Sequence, residues 1–142
     1  MKLLDLFCGA GGAAVGYYRA GFTDITGIDI NPQKHYPFKF IQDDALEYLA
    51  EHGNEYDVIH ASPVCKQFTK LRFIQKKKYP DFITPIRPLL IATGKYYIIE
   101  NVPGAPLINP LLLCGTMFPE LRVIRHRLFE NNFGLIMSPG TC

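Results

Sequence analysis

The stretch "DLFCGAGGAAVG", Asp5 to Gly16, decides the fold. Apolar residues from Lys2 to Phe7 read as a strand, Gly9 to Gly12 as a turn, and Ala13 to Ala20 as a helix stopped by Gly21. A strand that enters a helix through glycines is the first half of a βαβ unit. Gly9, Gly11 and Gly12 with Ala13 and Ala14 fit G-x-G-x-x-G/A, in which the backbone turns tightly and helix N–H groups face a ligand. Such a turn suits a nicotinamide cofactor, a flavin, S-adenosylmethionine, or no ligand at all.

Working outward, apolar runs alternate with helical patterns. This predicts an α/β fold with a doubly wound, mostly parallel sheet. Strand two is "DITGIDI", Asp24 to Ile30, closed by Asn31-Pro32. A short strand at Phe40 to Gln42 leads into "DDALEYLAEHG", whose leading acids and trailing Gly53 suit a helix. Asp57 to Ala61 is strand four, Asp81 to Thr93 a helix interrupted by Pro85 and Pro88, and Tyr96 to Val102, "YYIIENV", strand five. Leu111 to Leu113 reads as the end of a short helix, and Val123 to Phe133 as an exposed strand or hairpin.

The 142 residues, 48% of them apolar, suit one domain with one core, spanning 1–142. No apolar run approaches the ~20 residues that span a bilayer, so no membrane role is expected. The acid and glycines in "MKLLDLFCGAGG" argue against a signal peptide and for a cytoplasmic location. Cys8, Cys65, Cys114 and Cys142 form no C-x-x-C pair, so no metal site is expected, and Cys8 and Cys114 read as buried structural thiols.

Ligand chemistry in a doubly wound sheet collects at the carboxyl ends of the strands. Asp29 ends strand two, where an acid can accept hydrogen bonds from ribose hydroxyls. Asp44, or its neighbour Asp43, follows strand three, where a carboxylate can meet an adenine amino group or cap a helix. Asp5 lies inside a strand, where a charge is costly unless hydrogen-bonded; holding the glycine turn or the cofactor's amino-acid end would account for it. Cys65 follows strand four after Ser62-Pro63-Val64, and Glu100-Asn101 end strand five, so thiol and carboxylate can converge. Arg125 and Arg127, two apart, would share a strand face. Glu100 reads either as a proton donor or as a capping or salt-bridging carboxylate.

Between Ser62 and Pro80 the chain carries Lys66, Lys70, Arg72, Lys76, Lys77 and Lys78 and no acid. These cations suit either phosphate contacts or a solvated loop.

"DLFCGAGG", Cys65 after "SPV", "ENV" at 100–102 and "RHRLFE" at 125–130, in this order, resemble the cytosine carbon-5 DNA methyltransferases. The resemblance spans nearly the whole chain. It implies a Rossmann-like methyltransferase fold, S-adenosylmethionine as cofactor, and DNA with a flipped cytosine as substrate. It implies a cofactor pocket of Asp5, Phe7, Gly9, Gly11, Gly12, Asp29, Asp44 and Pro63, with Phe7 against the adenine. Cys65 matches the nucleophile, Glu100 the acid that grips the cytosine, Asn101 a residue that orients that region, and Arg125 and Arg127 the arginine pair near the flipped base. The sequence departs from the family at Val64, usually Pro, at Lys66, usually Gln, and at Val123, usually Gln. The usual target-recognition region and closing segment are not in these 142 residues. A second chain or segment supplying recognition, a fragment, and a minimal enzyme all remain open. So do an RNA or free-pyrimidine substrate and a non-catalytic binding module. A nicotinamide dehydrogenase would leave Cys65, Glu100 and the arginines without a role.

Overall fold

The computed structural model describes residues 1–64, 80–134 and 140. Cys65, the six cations from Lys66 to Lys78, and Cys142 therefore lie outside the described residues. The described strands are β1 (Lys2–Leu6), β2 (Asp24–Asp29), β3 (Lys39–Gln42), β4 (Val58–Ala61), β5 (Tyr96–Asn101), β6 (Leu111–Cys114) and β7 (His126–Asn131). The helices are α1 (Gly12–Arg19), α2 (Ala45–His52) and α3 (Ile83–Thr93). Among the described residues, no helix is long and apolar enough to cross a membrane.

The strands form one sheet in the order β3-β2-β1-β4-β5-β7-β6. The first five are parallel, and β7 enters antiparallel between β5 and β6. The run from β1 outward in both directions puts the reversal of strand order between β1 and β4, where an open α/β sheet leaves a crevice.

Side chains alternate across the strands and divide the core in two. Leu4, Leu6, Ile28, Ile59, Ala61 and Ile99 pack with Leu49 of α2 and with Ile86 and Leu90 of α3. Leu3, Ile25, Val58 and Cys8 pack on the other face with Ala14 of α1 and with Tyr36. Beyond α1 this second face carries an apolar groove along β5, β7 and β6, lined by Tyr17, Ile98, Leu111, Leu113, Phe129 and Phe133.

Local signals explain most boundaries. Asp44 caps α2, its Oδ1 accepting from Leu46 N (2.8 Å) and Glu47 N (3.2 Å). Asp81 accepts from Ile83 N at 2.9 Å and opens α3, and Gly94, in the left-handed region, closes it. Two expectations fail at the antiparallel edge. Leu111 to Leu113 belongs to β6 and not to a helix, because its backbone pairs with β7. The strand expected over Val123 to Phe133 begins only at His126, and it is an interior strand, flanked on both sides.

Tyr36 fills a gap in the second face. A Cβ on Gly27 would lie 2.3 Å from the tyrosine ring, so only glycine lets this ring lie against β2. Its hydroxyl then donates to Asp5 Oδ2 at 3.1 Å.

Candidate active site

The glycine turn sits at the carboxyl end of β1 and is held from the neighbouring strand. Cys8 N donates to Ile28 O at 3.0 Å, and Gly9 N donates to Asp29 Oδ2 at 3.1 Å. Asp29 Oδ1 accepts from Asn31 N at 2.9 Å, so one carboxylate ties the turn to the end of β2. Phe7 takes a left-handed conformation (φ 58°), unusual for a residue with a side chain, and its ring meets Phe82 at 5.5 Å.

The three glycines differ in what requires them. At Gly11 (φ 86°) a Cβ would lie 2.7 Å from Pro37 Cδ, so this glycine admits the chain's own Tyr36–Pro37 segment. At Gly9 and Gly12 a Cβ would meet nothing within 4 Å. The open cradle is therefore at Gly9 and Gly12, and α1 begins there without a side-chain cap or an acid in its first turn. Asp44 lies near this end of the sheet with one oxygen committed to capping α2.

Strands β4 and β5 bring the second set together. Asn101 is buried and its Nδ2 donates to Pro63 O at 3.0 Å, fixing the backbone two residues before Cys65. Ser62 N donates to Leu6 O at 3.2 Å, which holds the same segment to the end of β1. Glu100, half-buried, points to the opposite face from Asn101, and its Oε1 accepts from Arg127 Nε at 3.0 Å. Arg125 is exposed and precedes β7, so the two arginines are not both strand residues; their side chains nevertheless line one cleft with Leu113 and Phe129.

Two further residues, His60 and Tyr17, join the site without a sequence signal of their own, beside Asp5. His60 of β4 is 2% exposed, with Nδ1 3.0 Å from Tyr17 Oη of α1 and Nε2 3.7 Å from Glu100 Oε2. Asp5 is fully buried and pairs with His60 in the β1–β4 register. Burial pushes the Asp5 carboxyl up to about 7; the Tyr36 hydrogen bond opposes this, and the charges of Glu100 and Asp29 add to it. Burial also pulls His60 down to about 4. Asp5 thus lies beneath the turn, bonded to Tyr36, and among the described residues it makes no bond to the glycines, one of the two roles expected of it. Cys8 is a poor nucleophile, since burial and the charges of Asp5 and Asp29 push its thiol up to about 12.

The fold is shared with a prophage-encoded protein of E. coli assigned as a DNA modification methyltransferase. The two superpose with a TM-score of 0.65 at 21% identity, covering 91% of this chain and 45% of that one. By sequence the chain is similar to the Type II methyltransferase M.FnuDI of Fusobacterium nucleatum, 34% identical over 113 residues, covering 73% of this chain and 33% of that protein. It is also similar to the Type II methyltransferase M.XorII of Xanthomonas oryzae pv. oryzae, 26% identical over 118 residues, covering 71% of this chain and 28% of that protein. The chain spans about a third of the length of the curated relatives it matches. No protein-family model matches it.

Proposed function

We propose that this chain is a catalytic core that transfers a methyl group from S-adenosylmethionine to carbon-5 of cytosine in DNA. The observation that carries this reading is the Asn101–Pro63 hydrogen bond. It ties the end of β5, where Glu100 stands, to the segment that runs into Cys65. The ordered motifs and the Type II methyltransferase relatives support the same reading.

The cradle fits the cofactor. Gly9 and Gly12 leave room for close approach, Asp29 offers a carboxylate for ribose hydroxyls, and Phe7 and Asp44 border the adenine side. S-adenosylmethionine, when bound, supplies an electrophilic methyl. The chain's task is to make carbon-5 nucleophilic. The Cys65 thiolate adds to carbon-6, and the electrons of the 5,6 double bond move toward carbon-5. Glu100 holds ring nitrogen 3 and the amino group and offsets the charge that develops there. After methylation, loss of the carbon-5 proton to a base re-forms the double bond as Cys65 leaves. Free cysteine has pKa ~8.5, so cations beside Cys65 would raise its thiolate fraction. A target inside a duplex must be flipped out for this chemistry. The six cations from Lys66 to Lys78 are assigned to phosphates flanking it.

Labelled methyl transfer to duplex DNA, single-stranded DNA, RNA and dCMP, run in parallel, tests the reaction and its substrate. Transfer to duplex DNA, a trapped adduct on 5-fluorocytosine DNA, and loss of both in Cys65→Ser with cofactor affinity kept are expected. Full activity of Cys65→Ser would refute the nucleophile; transfer to RNA or dCMP alone would move the substrate. For the basic segment, neutralising Lys76, Lys77 and Lys78 together should lower the slope of log affinity against log salt by up to about 3, roughly one for each phosphate no longer neutralised. Equal slopes for the variant and the parent would leave those lysines without a phosphate role.

A further inference from the structure

His60 stands outside every role assigned so far, yet its surroundings are unusual for a core residue. It sits in the middle of the sheet, between Asp5 of β1 and Ile98 of β5. Its ring is 2% exposed, and burial keeps it neutral near pH 7. A neutral imidazole carries one proton. Nδ1 has Tyr17 Oη at 3.0 Å, and a phenol hydroxyl can donate to it. Nε2 faces an oxygen of Glu100, which can only accept when ionised, so the arrangement that suits both nitrogens has Nδ1 accepting from Tyr17 and the imidazole proton on Nε2.

Nε2 has no hydrogen-bond partner among the described residues; it lies 3.7 Å from Glu100 Oε2. Leaving a buried donor unpaired is costly, and an apolar residue at this position would avoid that cost. Asp5 Oδ1, across the strand pair, is likewise without a partner among the described residues. Strand alternation puts Asp5, His60, Ile98, Glu100 and Arg127 on one face, with Tyr17 above them from α1. The other Glu100 oxygen is already taken by Arg127 at 3.0 Å. Two donors from two different strands therefore address the two oxygens of one carboxylate.

We propose that His60 is a positioning residue for Glu100: oriented by Tyr17, its Nε2–H fixes Glu100 Oε2 opposite the Arg127 contact on Oε1 and so sets the plane of the carboxyl group presented to the base. The 3.7 Å separation is longer than a hydrogen bond. Separations of this kind close when substrate seats and draws the carboxyl group into line. The role rests on the cytosine reading given above, but the His60–Glu100 interaction itself can be measured without turnover.

Two variants separate the halves of the arrangement. His60→Gln keeps a donor near the Nε2 position and gives up the Tyr17 acceptor. His60→Asn keeps the acceptor near Nδ1 and gives up the donor toward Glu100. In the labelled full chain, histidine nitrogen NMR should show His60 protonated at Nε2 and bare at Nδ1, and Glu100→Gln should move the Nε2 resonance while leaving Nδ1. In methyl transfer to duplex DNA, His60→Asn should lose about 10- to 100-fold in kcat with KM and cofactor affinity little changed, as removal of an orienting partner does. His60→Gln should recover most of that loss. A core-packing role would lower kcat equally in both variants. Protonation at Nδ1, an Nε2 resonance indifferent to Glu100→Gln, or equal kcat for the two variants would each overturn the proposal. If the parent chain transfers no methyl group, the reading of function fails, and the NMR result alone decides the His60–Glu100 interaction.

Discussion

Two arginine–glutamate pairs lie one residue apart in the β5–β7 register, and they are built differently. Glu130 of β7, opposite Ile99, is 3% exposed and closed on every side. Arg87 of α3 donates to it from Nε and Nη2, each at 2.8 Å, and Ile108 N donates at 2.8 Å as well. Glu100 of β5, opposite Phe129, is 24% exposed, holds Arg127 on one oxygen, and has the other 3.7 Å from His60. In the first pair both carboxylate oxygens are occupied, by three donors in all. The pair joins α3, β7 and the chain after β5, and its role is to hold the fold together. The second has one hydrogen bond on Oε1, a longer approach from His60 on Oε2, and some solvent contact, so it keeps acceptor sites that the proposed contact with a base would use. Charge, residue type and strand neighbourhood are shared; the difference is whether the carboxylate is fully satisfied within the protein.

The largest effect should come from the open pair. Glu100→Gln keeps shape but loses charge and proton, and methyl transfer should fall by about 10²- to 10⁴-fold, the usual worth of a placed acid. Its urea midpoint should stay near that of the parent. A large loss of stability instead would mean that Glu100 is a second structural pair and would break the contrast.

The closed pair should behave the opposite way. Arg87→Met leaves Glu130 buried without its partner and should cost about 3–5 kcal/mol, measured by urea unfolding. Arg87→Met with Glu130→Leu should recover much of this, because no orphaned charge remains. The equivalent loss at Arg127, whose side chain is 24% exposed, should cost under about 1 kcal/mol.

The smallest net effect in the parent comes from the polar groups beneath the open pair, because two slopes cancel there. Asp5 is raised from 3.8 to about 7, so between those values the folded protein holds a proton that the unfolded chain has released. Its contribution is therefore greatest at low pH and declines as pH rises through that window. His60 is lowered from 6.5 to about 4, so there the unfolded chain holds the extra proton. Its contribution is lost as pH falls from 6.5 to about 4. Each slope is about 1.4 kcal/mol per pH unit, and the two oppose one another. Stability should be flat from these groups between about pH 4 and 6.5. Asp5→Asn should unmask a rise with pH over that range, and His60→Gln a fall. Parallel stability profiles for both variants and the parent would show that neither group is held as described.

The parallel half of the fold is legible in the sequence because its signals are local. β1, the glycine turn and α1 follow from residues within one short stretch, and capping a helix is one of the two roles that the position of Asp44 allows. At the antiparallel edge β7 is legible as a strand, but β6 is not, because three consecutive leucines carry no period and only pairing with β7 makes Leu111–Cys114 a strand. The placement of Glu100 and Asn101 at one strand end is readable from charge following an apolar run. His60 and Tyr17 do not stand out, since a histidine or tyrosine in an apolar segment reads as core. The available hint is the match between Asp5 and His60 at equivalent depths of two adjacent parallel strands. Gly11 is legible as a glycine, but its reason lies with Tyr36 and Pro37, much further along the chain.

The end of β5 carries Glu100 toward one face and, through Asn101, grips Pro63 on the other. Two consecutive residues of one strand thus serve as a common mount for the carboxyl group and for the backbone entering Cys65. When the sheet breathes, both are carried in the same direction. Their spacing should then vary less than either position, much as two instruments bolted to one bench stay aligned while the floor vibrates. Asn101→Ala would release Pro63 from β5, and with it that shared reference.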